Sequence, residues 1–161
     1  MKQKFFKFCN QGSRRWVFLI GKYAVKIPKF SSWLSMLLGF MENLEERYWW
    51  CADGIVRKTW SDDPNEISHH MCEIFWADRF GFMVIMERVA PCTEEQYKQY
   101  EEFLKNKFKG LSFVQDLKPD NVGICADGRV VITDFGFLVE FLSCILGEKL
   151  SNTVDIALSG R

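Results

Sequence analysis

Three short polar clusters interrupt an otherwise apolar chain, and between them they carry a lysine pair, carboxylates and a side-chain amide that could do chemistry. The first is Lys26, inside Ala24-Val25-Lys26-Ile27. In a strand with one buried face, a lysine between Val25 and Ile27 is a costly place for a charge unless something meets it. The second is Asp116-Leu117-Lys118-Pro119-Asp120-Asn121, and the third is Asp134-Phe135-Gly136. Asp and Asn ahead of a strand usually make turns, so each cluster alone says little. Their order says more: an aspartate, four intervening residues, an asparagine, a hairpin, then a second aspartate at a strand end. Carboxylate and amide oxygens suit a hard cation such as Mg²⁺. A positioned carboxylate can also take the proton of a reacting hydroxyl.

This ordered set resembles the protein-kinase superfamily, whose signature is a strand lysine, an Asp-x-x-x-x-Asn loop and Asp-Phe-Gly. Matching residues run from about Phe5 to Gly136, most of the chain. The resemblance implies ATP and Mg²⁺ as cofactors. Lys26 would grip the α- and β-phosphates, Asn121 and Asp134 would hold the metal, and Asp116 would orient the substrate hydroxyl. Lys118 would steady the transferred group, and a lysine there is similar to Ser/Thr kinases rather than tyrosine kinases. Met86-Glu87-Arg88-Val89 resembles the hinge, with backbone groups at Glu87 and Val89 facing adenine and Ala24 and Met86 lining its pocket. Gly12 and Ser13 would form what there is of a phosphate loop. Catalysis at such a site is mostly positioning and charge neutralisation.

The elements that must position these groups follow from pattern. Lys4–Cys9, Trp16–Ile20 and Tyr23–Ile27 read as a three-stranded meander, with turns at 10–13 and at Gly21-Lys22. Ser31 and Ser32 can cap a helix running to about Ala52. Its stripe is Leu34, Leu37, Leu38, Met41, Leu44, Tyr48 and Ala52, an i, i+3, i+4 pattern. Lys26 needs a glutamate from this helix, and Glu42, Glu45 and Glu46 are the candidates. At about 100° per residue, Glu45 falls within the apolar stripe, whereas Glu46 lies about 100° to one side of Glu45 and Glu42 about 60° to the other, toward the stripe's edge. A glutamate on an apolar face needs a buried partner, so Glu45 is preferred for Lys26 and Glu46 is the runner-up. Ile55–Trp60 reads as a strand, 61–70 as a loop, and Met71–Trp76 and Phe82–Glu87 as two more strands. Ala90-Pro91 breaks the chain. Thr93 to Gln96 is a capping box opening a helix to about Lys109. Leu111–Gln115 reads as extended, Val122–Cys125 and Arg129–Thr133 as a hairpin about Asp127-Gly128, and Phe137–Leu146 as a short apolar helix.

The expected fold is therefore α+β and protein-kinase-like: an antiparallel N-lobe sheet plus one long helix, and a strongly reduced C-lobe. A single domain over 1–161 would divide into an N-lobe over 1–87, the hinge, helix, catalytic loop and Asp-Phe-Gly over 88–136, and a short helix and tail over 137–161. The sequence departs from the family in three places. Gly12 is the one match to the glycine-rich loop. Val114-Gln115 replaces the His-Arg before the catalytic aspartate, and Gln115 cannot pair with a phosphate on an activation segment. Only 25 residues follow Gly136, without Ala-Pro-Glu. The activation segment and substrate-seating helices are thus expected to be missing. That is similar to minimal kinases among bacterial effectors and phage proteins; effectors usually carry a leader, and a first strand beginning almost at Met1 weighs against an effector. A protein substrate or activating partner, or autophosphorylation, follows. Trp33, Trp49, Trp50 and the helix from Phe137 are candidates for a partner-facing patch.

Two other readings stay open. One is a kinase-shaped binding module that works by occupying a partner. The other is a small-molecule phosphotransferase, against which Lys118-Pro119 and the missing substrate lobe argue. Bulk composition narrows the field further. Lys and Arg number 21, as do Asp and Glu, which gives no push toward nucleic acid or an anionic membrane. The longest apolar stretch, Trp33–Met41, is too short to span a bilayer. The N-terminus lacks a signal peptide's uninterrupted apolar region, and a cytoplasmic location is expected. The six cysteines form no closely spaced metal or redox pair and read as reduced thiols. His69-His70 reads as a solvated loop pair.

Overall fold

The two-residue turn at Gly21-Lys22 sets the register of the first sheet. In the computed structural model, which describes residues 5–10, 12, 14–51, 67–109, 114 and 117–134, Gly21 has φ of 55°. That left-handed conformation suits glycine and a tight antiparallel connection. Strand β1 is Phe6–Cys9, β2 is Arg15–Ile20 and β3 is Tyr23–Pro28. With Ile20 opposite Tyr23, Val17 falls opposite Lys26 and Arg15 opposite Pro28. Side chains alternate across a strand, so Arg15 and Val17 share a face with Ala24, Lys26 and Pro28. The last three are the buried residues of β3.

Two further strands, β4 (Ile74–Ala77) and β5 (Val84–Glu87), complete a five-stranded antiparallel sheet in the order β1-β2-β3-β5-β4. The expected break at Ala90-Pro91 is instead a short strand, β6. It pairs with β7 (Val122–Ile124), which pairs with β8 (Val130–Ile132). The expected hairpin about Asp127-Gly128 is present, with Gly128 at φ 91°. The two sheets are tied together where the Cys72 N–H donates to the Ile132 carbonyl at 2.8 Å.

Helix α1 spans Trp33–Cys51 and helix α2 spans Glu94–Lys107. Ser32 Oγ accepts from the Ser35 N–H, supplying the start of α1. The capping box of α2 is complete: the Gln96 N–H donates to Thr93 Oγ1 at 3.2 Å, and the Thr93 N–H donates to Gln96 Oε1 at 2.9 Å.

The core runs through both sheets and α2, with Val84, Met86, Leu104, Val131 and Ile132 fully buried. Each such side chain contributes about 1.5–3 kcal/mol over leaving it exposed. The burial of α1 differs from the pattern expected of its stripe. Leu34, Leu37 and Tyr48 are exposed, while Glu42, Asn43, Glu45 and Glu46 are buried. The face of α1 turned to the sheet meets Arg15 and Lys26, so carboxylates rather than alkyl chains fill it. Gly39 permits the approach: a Cβ there would stand 2.7 Å from the Arg14 carbonyl and 3.0 Å from Pro28 Cα.

Ile67–His70 is a turn of 3₁₀ helix rather than open loop. His70 is buried, not solvated: Nδ1 lies 3.1 Å from Tyr100 Oη, and the ring packs on Phe103 and Phe108. The strand at 55–60, most of the stretch at 111–115 and the helix from Phe137 lie outside the described residues. No helix among the described residues is long and apolar enough to cross a membrane.

Candidate functional site

The buried face of β2 and β3, the carboxylate face of α1 and the end of β8 meet at one place. Lys26 comes from β3 and is 6% exposed. Its Nζ lies 2.6 Å from Glu46 Oε1 and donates to the Thr133 carbonyl at 2.5 Å. The glutamate that pairs with Lys26 is therefore Glu46, not Glu45. Glu45 is also buried, but one residue along a helix turns the side chain by about 100°. Glu42 and Glu46, four apart, lie one above the other and share the face toward the sheet.

A residue outside the expected set stands at the centre. Arg15 is 5% exposed and its guanidinium reaches three carboxylates. Nε is 3.1 Å from Glu42 Oε2, Nη1 is 2.9 Å from Glu46 Oε1, and Nη2 is 2.5 Å from Asp134 Oδ1. Nη1 also donates to Asn43 Oδ1 at 3.2 Å, and Arg14 pairs with Glu42 at 2.7 Å. The cluster thus sets Arg14, Arg15 and Lys26 against Glu42, Glu46 and Asp134. The Gly21-Lys22 turn held the clue. It fixes Val17 opposite Lys26, and the alternation then puts Arg15 on the same buried face, where an arginine demands carboxylates.

The electrostatics follow from burial and these contacts. Burial opposes the charge on Arg15, but Asp134, Glu46 and Glu42 outweigh it and hold the guanidinium firmly protonated. Partial burial pushes the Asp134 carboxyl up, yet Arg15 and then Lys26 overcome this and hold it below the usual range. Glu42 goes the other way, raised by burial that Arg15 and Arg14 offset only in part.

Asn121 and Asp134 sit at the same end of the β7–β8 hairpin. The Thr133 N–H donates to the Asn121 carbonyl at 2.7 Å, and Asp134 follows directly. Lys118 is exposed at the start of the 3₁₀ turn Pro119–Asn121, and Pro119 fits the first helical position. Leu117, just ahead of Lys118, is anchored from α2, where Tyr97 Oη donates to its carbonyl at 2.8 Å. Asp116 lies outside the described residues, as does Ser13. Gly12 is described, and Lys29 Nζ donates to the Gly12 and Asn10 carbonyls at 2.5 and 2.9 Å.

At the other end of β3, Ala24 pairs with Met86 across β3 and β5, and both are buried. The Glu87 N–H donates to the Glu73 carbonyl at 2.9 Å, and the Glu87 carbonyl accepts from Cys72 Sγ. That carbonyl keeps a second lone pair. Val89 packs against the core and over Gly123, where an added Cβ would come within 2.1 Å of Val89 Cγ2.

Asn121 and Asp134 are the residues that would hold a metal. No group of three His, Cys, Asp or Glu among the described residues could hold one alone. Mg²⁺ makes no such demand: it takes one or two carboxylates and completes its shell with water and phosphate oxygens. One carboxylate and one amide oxygen, from Asp134 and Asn121, fit that chemistry. The Asp134 side chain is 39% exposed and open to an incoming ligand.

No known family profile matches the sequence. Among solved structures, a bifunctional kinase-methyltransferase, WbdD, aligns with a TM-score of 0.47 and 13% identity, over 94% of this chain and 39% of that one. WbdD crystallised with a kinase inhibitor gives 0.48 and 13%, over 100% and 42%. Monomeric WbdD gives 0.47 and 14%, over 99% and 46%. The chain spans less than half the length of these structures. At that score and identity the likeness assigns no residue.

Proposed function

We propose that the chain is an ATP- and Mg²⁺-dependent phosphotransferase of the Ser/Thr protein-kinase type, acting on a protein partner or on itself. The observation that carries this reading is the Lys26 ammonium, buried between Glu46 and the Thr133 carbonyl beside Asp134. A lysine so held is fixed in direction, which is what gripping a phosphate requires. Asn121 and Asp134 would hold the metal, which would supply neutralisation of phosphate charge. Lys118, exposed at its turn, would reach the transferred group, and Asp116 would accept the hydroxyl proton. Ala24, Met86 and Val89 would bound the adenine, with the Glu87 carbonyl as acceptor.

The test is thermal stability with ATP, with Mg²⁺, and with both, alongside transfer of labelled phosphate. Ligand at about 100 times its dissociation constant stabilises by about 2.7 kcal/mol. The combined ligand should raise the melting temperature of the wild type but not of Lys26→Ala or Asp134→Ala. No shift in the wild type would sink the nucleotide reading.

A second reading, a kinase-shaped binding module, has one observation in its favour: the Asp134 carboxylate is already held by Arg15. It expects Asp116→Asn to keep full biological effect, whereas the phosphotransferase reading expects that effect to be lost.

A further inference from the structure

Arg15 stands where the proposed metal site needs a free carboxylate. Its guanidinium is buried, and it spends one nitrogen each on Glu42, Glu46 and Asp134. The first two contacts come from α1 and lock the side chain in place. The third is different: Asp134 is part-exposed and follows the β8 strand, so it is the carboxylate a solute can reach. A divalent cation at Asp134 would meet the positive Nη2 group on the same oxygen, and like charges at hydrogen-bond distance repel strongly.

We propose that Arg15 is a tethered cation that holds Asp134 in the ligand-free chain and is exchanged for the metal when nucleoside triphosphate enters. This rests on the phosphotransferase reading. The exchange needs no movement of α1, because Nε and Nη1 keep Glu42 and Glu46 while only Nη2 lets go. The freed Nη2 would be available to a phosphate oxygen in place of the carboxylate, a trade between two acceptors that a guanidinium fork serves equally. A separate observation points the same way. The turn before β2 has one glycine, Gly12, and Lys29 ties down its carbonyls at Asn10 and Gly12. With one glycine, this stretch lacks the composition that lets a backbone approach phosphates closely. Arg15, three residues on, supplies the missing donor. Metal alone should therefore bind poorly, and metal with nucleotide well.

The experiment measures Mn²⁺ binding to the nucleotide-free full chain from the free-ion paramagnetic resonance signal. Arg15→Gln, folded by circular dichroism, should bind Mn²⁺ at least tenfold tighter than wild type, and its affinity for ATP at saturating Mg²⁺ should fall. Mn²⁺ affinity that is unchanged or weaker in Arg15→Gln overturns the proposal. A readout that needs no variant to fold is nuclear magnetic resonance of wild type labelled with ¹⁵N-arginine. The slowly exchanging Arg15 guanidinium signals should shift with Mg²⁺ plus a non-hydrolysable ATP analogue, and not with Mg²⁺ alone. Signals that stay put while the analogue binds overturn it equally. If Mg²⁺ and ATP stabilise the wild type but neither readout responds, the phosphotransferase site stands and this exchange falls. If nothing binds, both fall.

Discussion

Lys26 Nζ lies 2.6 Å from Glu46 Oε1, and the same carboxylate oxygen accepts Arg15 Nη1 at 2.9 Å. One buried oxygen thus serves two cations from adjacent strands. Removing one partner of a buried pair leaves an uncompensated charge and costs about 3–5 kcal/mol. Glu46→Gln should therefore unfold at markedly lower denaturant and lose stabilisation by ATP and Mg²⁺. Glu45→Gln should keep that ligand response. Chemical denaturation with and without ligand checks both, and equal ligand responses in the two variants would remove Glu46 from the site.

Gly39 sets how closely α1 approaches β2 and β3. An alanine Cβ would press on the Arg14 carbonyl and Pro28 Cα, which are backbone atoms that cannot rotate aside. Overpacking of this kind costs about 1–3 kcal/mol, which exceeds the roughly 1 kcal/mol alanine gains in helix propensity. Gly39→Ala is expected to lower stability and to weaken ATP binding, by pushing Glu42 and Glu46 away from Arg15 and Lys26. A melting curve and a nucleotide titration test it, and a variant more stable than wild type would contradict the packing.

The chain declared some of this arrangement and concealed the rest. Short local signals were legible: the Gly21-Lys22 and Asp127-Gly128 turns, the meander, and the Thr93 capping box. Each depends on a few neighbouring residues. The orientation of α1 was not legible from its stripe. Hydrophobic periodicity assumes that the buried face is the apolar one, and here the face turned to the sheet carries Glu42, Asn43 and Glu46, which meet Arg15 and Lys26. That is a tertiary demand, and the helix alone cannot announce it. Arg15 was missed for the same reason: its role appears only when the strand register and the helix face are considered together.

Cys72 gives a pH prediction. Burial pushes its thiol up to about 12, with the Lys26 charge offsetting only part. In the unfolded chain a thiol titrates near 8.5. The folded value is the higher one, so the unfolded state loses its proton first. The contribution is fully present below about pH 8.5 and is lost as pH rises toward 12. By pH 10 the loss is about 2 kcal/mol. Stability measured from pH 7.5 to 10 should fall in the wild type and fall less in Cys72→Ser, which keeps a donor for the Glu87 carbonyl but does not ionise in that range. Parallel slopes for the two proteins would show that Cys72 is not the source.

Tyr97 couples α2 to the loop that carries Lys118. Its hydroxyl donates to the buried Leu117 carbonyl at 2.8 Å. Tyr97→Phe removes the donor and leaves that carbonyl without it, at a cost of about 1–3 kcal/mol. The loop's geometry also loosens. A positioned reacting group loses rate steeply with small misplacement. If Asp116 and Lys118 act as proposed, Tyr97→Phe should lower the rate of phosphate transfer at least tenfold while the ATP dissociation constant changes less than threefold, because Lys26 and Glu46 are held by other elements. Single-turnover transfer and equilibrium nucleotide binding separate the two effects. A variant that loses affinity and rate together would mean that the hydroxyl supports the whole cleft rather than the loop.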